Sequence, residues 1–158
     1  MEITPAAGVH LTGDVSRHRP ATLVADPLFA RAVVLRSGDR MVCILTLDVT
    51  IVTEPYTVQI RQVAAERYGL DPDAVMVHAT QTHSAPSLGA FMVDSDFPPF
   101  PAGCEWVGGG DAAYSAWATE RAVEAIGAAV QSLRPVQLGV ASGIEGRFAF
   151  NRRAVTGD

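Results

Sequence analysis

Apolar and polar positions first form a clear pattern in two short runs of the chain. Residues 29–35 and 41–47 are rich in aliphatic and β-branched side chains, which are typical of β-strands. Ser37-Gly38-Asp39 lies between them and has the composition of a tight turn. The pattern therefore predicts an antiparallel pair of strands.

A helical pattern follows the second run. Thr53 is a capping residue, apolar residues then recur at helical spacing, and Gly69 ends the pattern. Residues 74–79 read as another strand. A strand, a crossover helix and a strand form a right-handed βαβ unit, so residues 41–47 and 74–79 should lie parallel in one sheet. The predicted fold class is α/β, bordering on α+β, with a mixed sheet flanked by helices.

The last part of the chain predicts a second helix and further strands. Asp111 is the expected cap of a helix whose apolar residues fall on one face, and Pro135 lies beyond its end. Residues 136–141 alternate and predict a strand, and residues 147–150 predict one more. The chain is expected to be either one domain over residues 1–158 or the N-terminal fragment of a larger catalytic domain.

Residues 84–110 contain no periodic element but are rich in Pro, Gly and aromatic residues. Loops of this length are uncommon in compact domains and are often lids or binding loops. Phe91 and Trp106 are expected to contact substrate, because large aromatic side chains are costly to leave exposed. The alternative is a surface insertion without a function.

Composition excludes several classes of protein. Hydrophobic residues make up 48% of the chain, and the net charge is −5, with no basic cluster for nucleic acid or a membrane surface. All the basic residues other than His are Arg, so no lysine nucleophile is available. Without a signal peptide or a membrane-spanning apolar run, the expected location is the cytoplasm. Cys43, in an apolar run, is expected to be a buried thiol.

Two polar side chains follow the predicted parallel strands. Asp48 ends the first and His83 follows the second, so both should lie at the sheet edge where ligands collect, and both are expected to be catalytic. For Asp48 the alternative is a structural turn carboxylate, and for His83 a hydrogen-bonded loop histidine. His78, within the strand, is expected to be a core residue. His10 and His18, in turn-rich segments, are expected to be solvated, and the alternative is that they line the mouth of a site.

Several segments resemble one known family. They are Asp26-Pro27-Leu28-Phe29-Ala30-Arg31, Leu47-Asp48, Val77-His78-Ala79-Thr80-Gln81-Thr82-His83-Ser84-Ala85-Pro86 and Phe150-Asn151-Arg152-Arg153. In this order the chain resembles the N-terminal domain of the neutral/alkaline, non-lysosomal ceramidases. The resemblance spans nearly the whole chain and implies a zinc-dependent amidase.

The resemblance also implies roles for individual residues. Gln81 and His83 occupy the positions of two active-site histidines, the first of which is a zinc ligand in the family. Since Gln is a poor zinc ligand, we expect zinc in the full-length protein at most and weak or no binding by this chain. Asn151 is expected to be catalytic. Arg152 is expected to hold an anionic group of the substrate, because its planar fork makes bidentate contacts.

The sequence therefore predicts a ceramidase-like hydrolase that cleaves an amide or ester other than ceramide itself. Its partner would be a small-molecule or lipid-like amide, with no nucleic acid and no transmembrane segment, and assembly as a homo-oligomer is compatible with the pattern. The alternative is a catalytically inactive binding or structural domain that retains the fold.

Overall fold

The predicted hairpin forms the first half of the sheet. The computed structural model describes residues 1–14, 16–91 and 100–148. In it, β1 (Ala30–Ser37) pairs antiparallel with β2 (Arg40–Leu47). The chain reverses at Gly38, whose φ of 58° is a conformation that glycine adopts without strain.

The βαβ unit is confirmed. Helix α1 (Glu54–Tyr68) has a proline in its first turn and ends at Gly69, a left-handed cap whose N–H bonds Ala65. A 3-10 turn (Pro72–Ala74) leads into β3 (Val75–Ala79), which pairs parallel with β2. The order of the mixed three-stranded sheet is β1-β2-β3.

Both helices lie on one face of the sheet. Helix α2 (Ala112–Gln131) begins at Asp111, whose side chain accepts a 2.7 Å bond from the Tyr114 N–H, as its capping role predicts. It packs on β1 and against α1. The core under the helices includes Val34, Leu45, Leu47, Ile60, Val75, Ala118, Ala122, Ile126 and the predicted buried thiol Cys43. Burial raises the pKa of that thiol to about 11.

The opposite face of the sheet is not covered by a helix in the described part of the chain. Val42, Ile44 and Met76 on this face are 38–50% exposed. His78 lies on the same side of β3 and is exposed as well. The prediction that His78 is a core residue is wrong, because an alternating strand buries a side chain only where a second layer covers it.

The predicted strand over residues 136–141 is absent, and Arg147 and Phe148 lie in a bend. Val136, Leu138 and Val140 are 67–94% exposed. The alternation suits a strand, but a strand also needs a hydrogen-bonded neighbour, and the structure assigns none to this segment within the described residues. Residues 149 and 150 of the other predicted strand lie outside the described part.

Residues 84–91 and 100–110 contain one short regular element, the 3-10 turn Glu105–Gly108. Residues 85–89 are buried, and Leu88 forms an isolated parallel bridge with Val52. The beginning of this segment therefore belongs to the core rather than to a lid. In the described residues, no helix combines the length and apolar character needed to cross a membrane.

Candidate functional site

The parallel pairing brings two predicted site segments to the same sheet edge. Leu47, the last residue of β2, is in register with Ala79 at the end of β3. The chain after β3 remains attached to the chain after β2, because the Gln81 N–H donates a 3.1 Å bond to the Val49 carbonyl. Asp48 and His83 therefore follow neighbouring strand ends, as the βαβ unit predicts.

The Asp48 carboxylate is held by the protein itself. One of its oxygens accepts a 3.0 Å bond from the Phe29 N–H and a 2.6 Å bond from Arg31. The Asp48 side chain is only 17% exposed. Burial, with a smaller contribution from this carboxylate, raises the pKa of Tyr114. These hydrogen bonds connect the Asp48 carboxylate to the fold. The predicted catalytic role of Asp48 stays a prediction.

His83 differs, because its main chain is held while its imidazole is exposed. The His83 carbonyl accepts a 3.0 Å bond from the Arg19 guanidinium. The ring lies directly against Gly13, where an added Cβ would be 2.6 Å from the ring Cγ. Gly13 also has a φ of 96°, a conformation that glycine adopts without strain. The position therefore favours glycine for two reasons, its backbone conformation and the lack of space for a side chain beside the His83 ring. The exposed imidazole is available to a ligand.

Gln81 is the only non-glycine residue with a positive φ, at 60°, in the described ranges. Left-handed backbone is uncommon for such residues and often marks a constrained site. Around it, the described residues bring together no three His, Cys, Asp or Glu side chains that could hold a metal ion. One imidazole and one amide do not fit the three or four ligands that zinc needs, so we derive no reaction step through zinc.

Three aromatic rings form a cluster that includes His10, a hydrogen-bond partner of Arg19. The ring centroids of His10 and His18 are 5.2 Å apart, and Trp106 lies 5.2 Å from His10 and 5.6 Å from His18. His10 Nδ1 accepts a 3.2 Å bond from the Arg19 N–H. Partial burial lowers the pKa of His10, and the nearby His18 and Arg19 lower it further.

The expectation that His10 and His18 are solvated is wrong for His10, which is half-buried, and incomplete for the exposed His18, which stacks on Trp106. No local pattern connects residues so far apart in the sequence. Phe91, the other predicted aromatic contact, bonds Gly108 through its N–H and is partly buried against Gly109. Asn151 and Arg152 lie outside the described residues.

Sequence reasoning missed a cleft of about 380 Å³ that the His83 segment helps to line. Its polar lining residues are Thr4, Asp26 and the two neighbours of His83, Thr82 and Ser84. Its apolar lining includes Leu11, Leu23, Val24 and Leu28. Leu23 is 85% exposed. The sequence signal that could have indicated this binding surface is the pair of apolar residues Leu23-Val24 in a turn-rich segment, where no core pattern accounts for them.

Comparisons with known proteins add no relative. The chain matches no protein-family model, no curated protein and no solved structure.

Proposed function

We propose that this chain is a ceramidase-like hydrolase domain that cleaves an amide or ester bond in a substrate with an apolar chain. Two things support the proposal. The segment Thr80-Gln81-Thr82-His83-Ser84-Ala85-Pro86 resembles the active-site segment of that family. Thr82 and Ser84 of the same segment line a cleft whose other lining residues are mostly apolar.

The composition of the cleft is the observation that carries the proposal. Leucine and valine side chains suit an acyl chain, whose transfer from water is favourable by about 0.8 kcal/mol per CH₂ group. Two of the polar residues that line the cleft, Thr82 and Ser84, carry hydroxyl groups. A lipid-like amide bound there would have its polar group near Thr82 and Ser84, the residues before and after His83.

His83 supplies the chemistry in this proposal. A neutral imidazole can accept a proton from a water molecule while the water oxygen bonds to the carbonyl carbon of the substrate. The C–N or C–O bond then breaks, and the imidazolium returns the proton to the leaving amine or alkoxide. The products are a carboxylic acid and an amine or alcohol. The exposed ring of His83, backed by Gly13, leaves room for such a water.

A catalytically inactive binding domain is the second candidate. Three observations favour it. Gln81 stands where the family has a ligand histidine, and the Asp48 carboxylate is already bound by Arg31. In addition, His83 itself is absent from the residues that line the cleft. This candidate predicts that amphipathic molecules bind without turnover.

Hydrolysis of p-nitrophenyl esters and p-nitroanilides with short, medium and long acyl chains tests the proposal. We expect turnover that increases with chain length, is lost in His83→Gln and is retained in His78→Gln. His78 is the matched control, because it is an exposed histidine on the uncovered sheet face. Binding of the long-chain anilide without turnover would favour the inactive domain, and equal loss in both variants would contradict a specific role of His83.

A further inference from the structure

Arg19 connects two parts of the molecule that are far apart in sequence. Its guanidinium donates to the His83 carbonyl at 3.0 Å. Its main-chain N–H donates to His10 Nδ1, and its carbonyl accepts a 2.8 Å bond from the Leu11 N–H. Arg19 thus links the segment around His10, with its aromatic stack, to the His83 loop.

Residues 8–12 and 19–21 form a segment with two antiparallel sides that holds the loop around His83 at two points. Besides Arg19, Thr12 bonds the Ala85 carbonyl through both its N–H, at 2.9 Å, and its hydroxyl, at 3.1 Å. The His10↔Pro20 bridge keeps the two sides of the segment together. Trp106, whose ring stacks on His18 and lies tilted against His10, joins the segment to the turn Glu105–Gly108.

We propose that Arg19 is a positioning residue for His83: it fixes the main chain that carries the imidazole and thereby sets the orientation of the ring over Gly13. The expected effect of Arg19 on catalysis rests on the proposed function, whereas its effect on the orientation of the His83 ring does not. His83 lies in a turn rather than in a strand, so no sheet hydrogen bond fixes its carbonyl. The Arg19 bond takes that place.

Arg17 provides a matched control near Arg19 in the sequence. It is an exposed arginine whose partner is Asp14, at 3.2 Å, and its described hydrogen bonds include none to the His83 loop. Replacing Arg17 therefore removes an equal charge and a local bond without touching His83. Arg19→Met and Arg17→Met can be compared directly.

The test combines the NMR signal of the His83 imidazole, assigned with His83→Gln, and the kinetics on the p-nitroanilide series. We expect Arg19→Met to shift the His83 Cε1–Hε1 resonance and to lower kcat by at least about tenfold with little change in KM. Arg17→Met should change neither, and Arg19→Lys, which retains a donor, should restore part of both. The melting temperature of each variant checks that the fold is retained.

An unchanged His83 resonance in Arg19→Met would overturn the inference, and so would an equal shift in Arg17→Met. If Arg19→Met does not fold, Arg19→Gln against Arg17→Gln makes the same comparison with a smaller change in shape. If the wild-type protein hydrolyses no substrate, the proposed function fails. The resonance still decides whether Arg19 positions His83.

Discussion

Asp48 and His83 follow neighbouring parallel strands at one sheet edge, yet their side chains are used in opposite ways. The Asp48 carboxylate is mostly buried and bound by the Phe29 N–H and by Arg31. The His83 imidazole is exposed, and the protein holds only its main chain and the back of its ring. Strand topology selects candidate positions, whereas the hydrogen bonds of each side chain separate a structural residue from one that can act on a ligand.

Loss of the Asp48 carboxylate should have the largest effect on stability. Asp48→Ala leaves the partly buried Phe29 N–H without its acceptor, which costs about 1–3 kcal/mol. The exposed Arg31 adds little to this cost, because solvent screens its charge. Urea unfolding measures the change. Glu66→Ala, at an exposed position of α1, is the control, and an equal effect of both substitutions would contradict the structural role of Asp48.

Gly13 tests the packing behind His83. Gly13→Ala has to adopt a φ of 96° and also displace the imidazole, and we expect a loss of about 2 kcal/mol. Gly8→Ala is the matched control: its φ is 94°, but an added Cβ meets nothing within 4 Å, so it should lose about 1 kcal/mol. A movement of the His83 resonance in Gly13→Ala alone would support the contact, and equal losses in both variants would argue against it.

The contribution of His10 to the stability of the protein should decrease in mild acid. The folded state lowers the pKa of His10 from its ordinary value of 6.5, so the folded protein binds this proton less readily than the unfolded chain. The contribution of His10 is full above about pH 6.5 and is lost as the pH falls from there through the lower folded value. Protonation of Nδ1 also removes the acceptor for the Arg19 N–H.

His10→Asn isolates this effect, because its side-chain oxygen can accept the Arg19 N–H bond but does not titrate. We expect the wild-type protein to lose stability relative to His10→Asn between pH 7.5 and 5, measured by urea unfolding. Trp106 fluorescence in a Trp117→Phe background reports on the stack over the same range. A constant difference in stability across these pH values would refute a folded-state shift at His10.

The sequence was sufficient for the elements that carry their own boundary signals. Gly38, Gly69 and Asp111 mark a turn, a helix end and a helix start, and the structure uses all three in this way. The parallel pairing of β2 and β3 followed from the crossover helix. Residues 136–141 show the limit, because alternation specifies a strand-like pattern but not a partner for it.

The candidate site was predictable at its sheet edge but not in its surroundings. His83 was identified from its place after a strand. The bond from Arg19 and the tilted ring contact of His10 with Trp106 join residues distant in sequence, and such contacts depend on tertiary packing that no local periodicity records. The exposure of His78 likewise depends on which sheet face the helices cover.

The most direct test of the account compares His83→Ala and Asp48→Ala in two measurements, the unfolding free energy and the hydrolysis rate of a long-chain p-nitroanilide at a temperature where both variants are folded. We predict a crossed result. His83→Ala should change stability by no more than about 0.5 kcal/mol but abolish turnover, whereas Asp48→Ala should lose stability and retain turnover. A His83→Ala protein that hydrolyses the substrate at the wild-type rate, or that unfolds, would contradict the claim that His83 is the functional residue at this sheet edge.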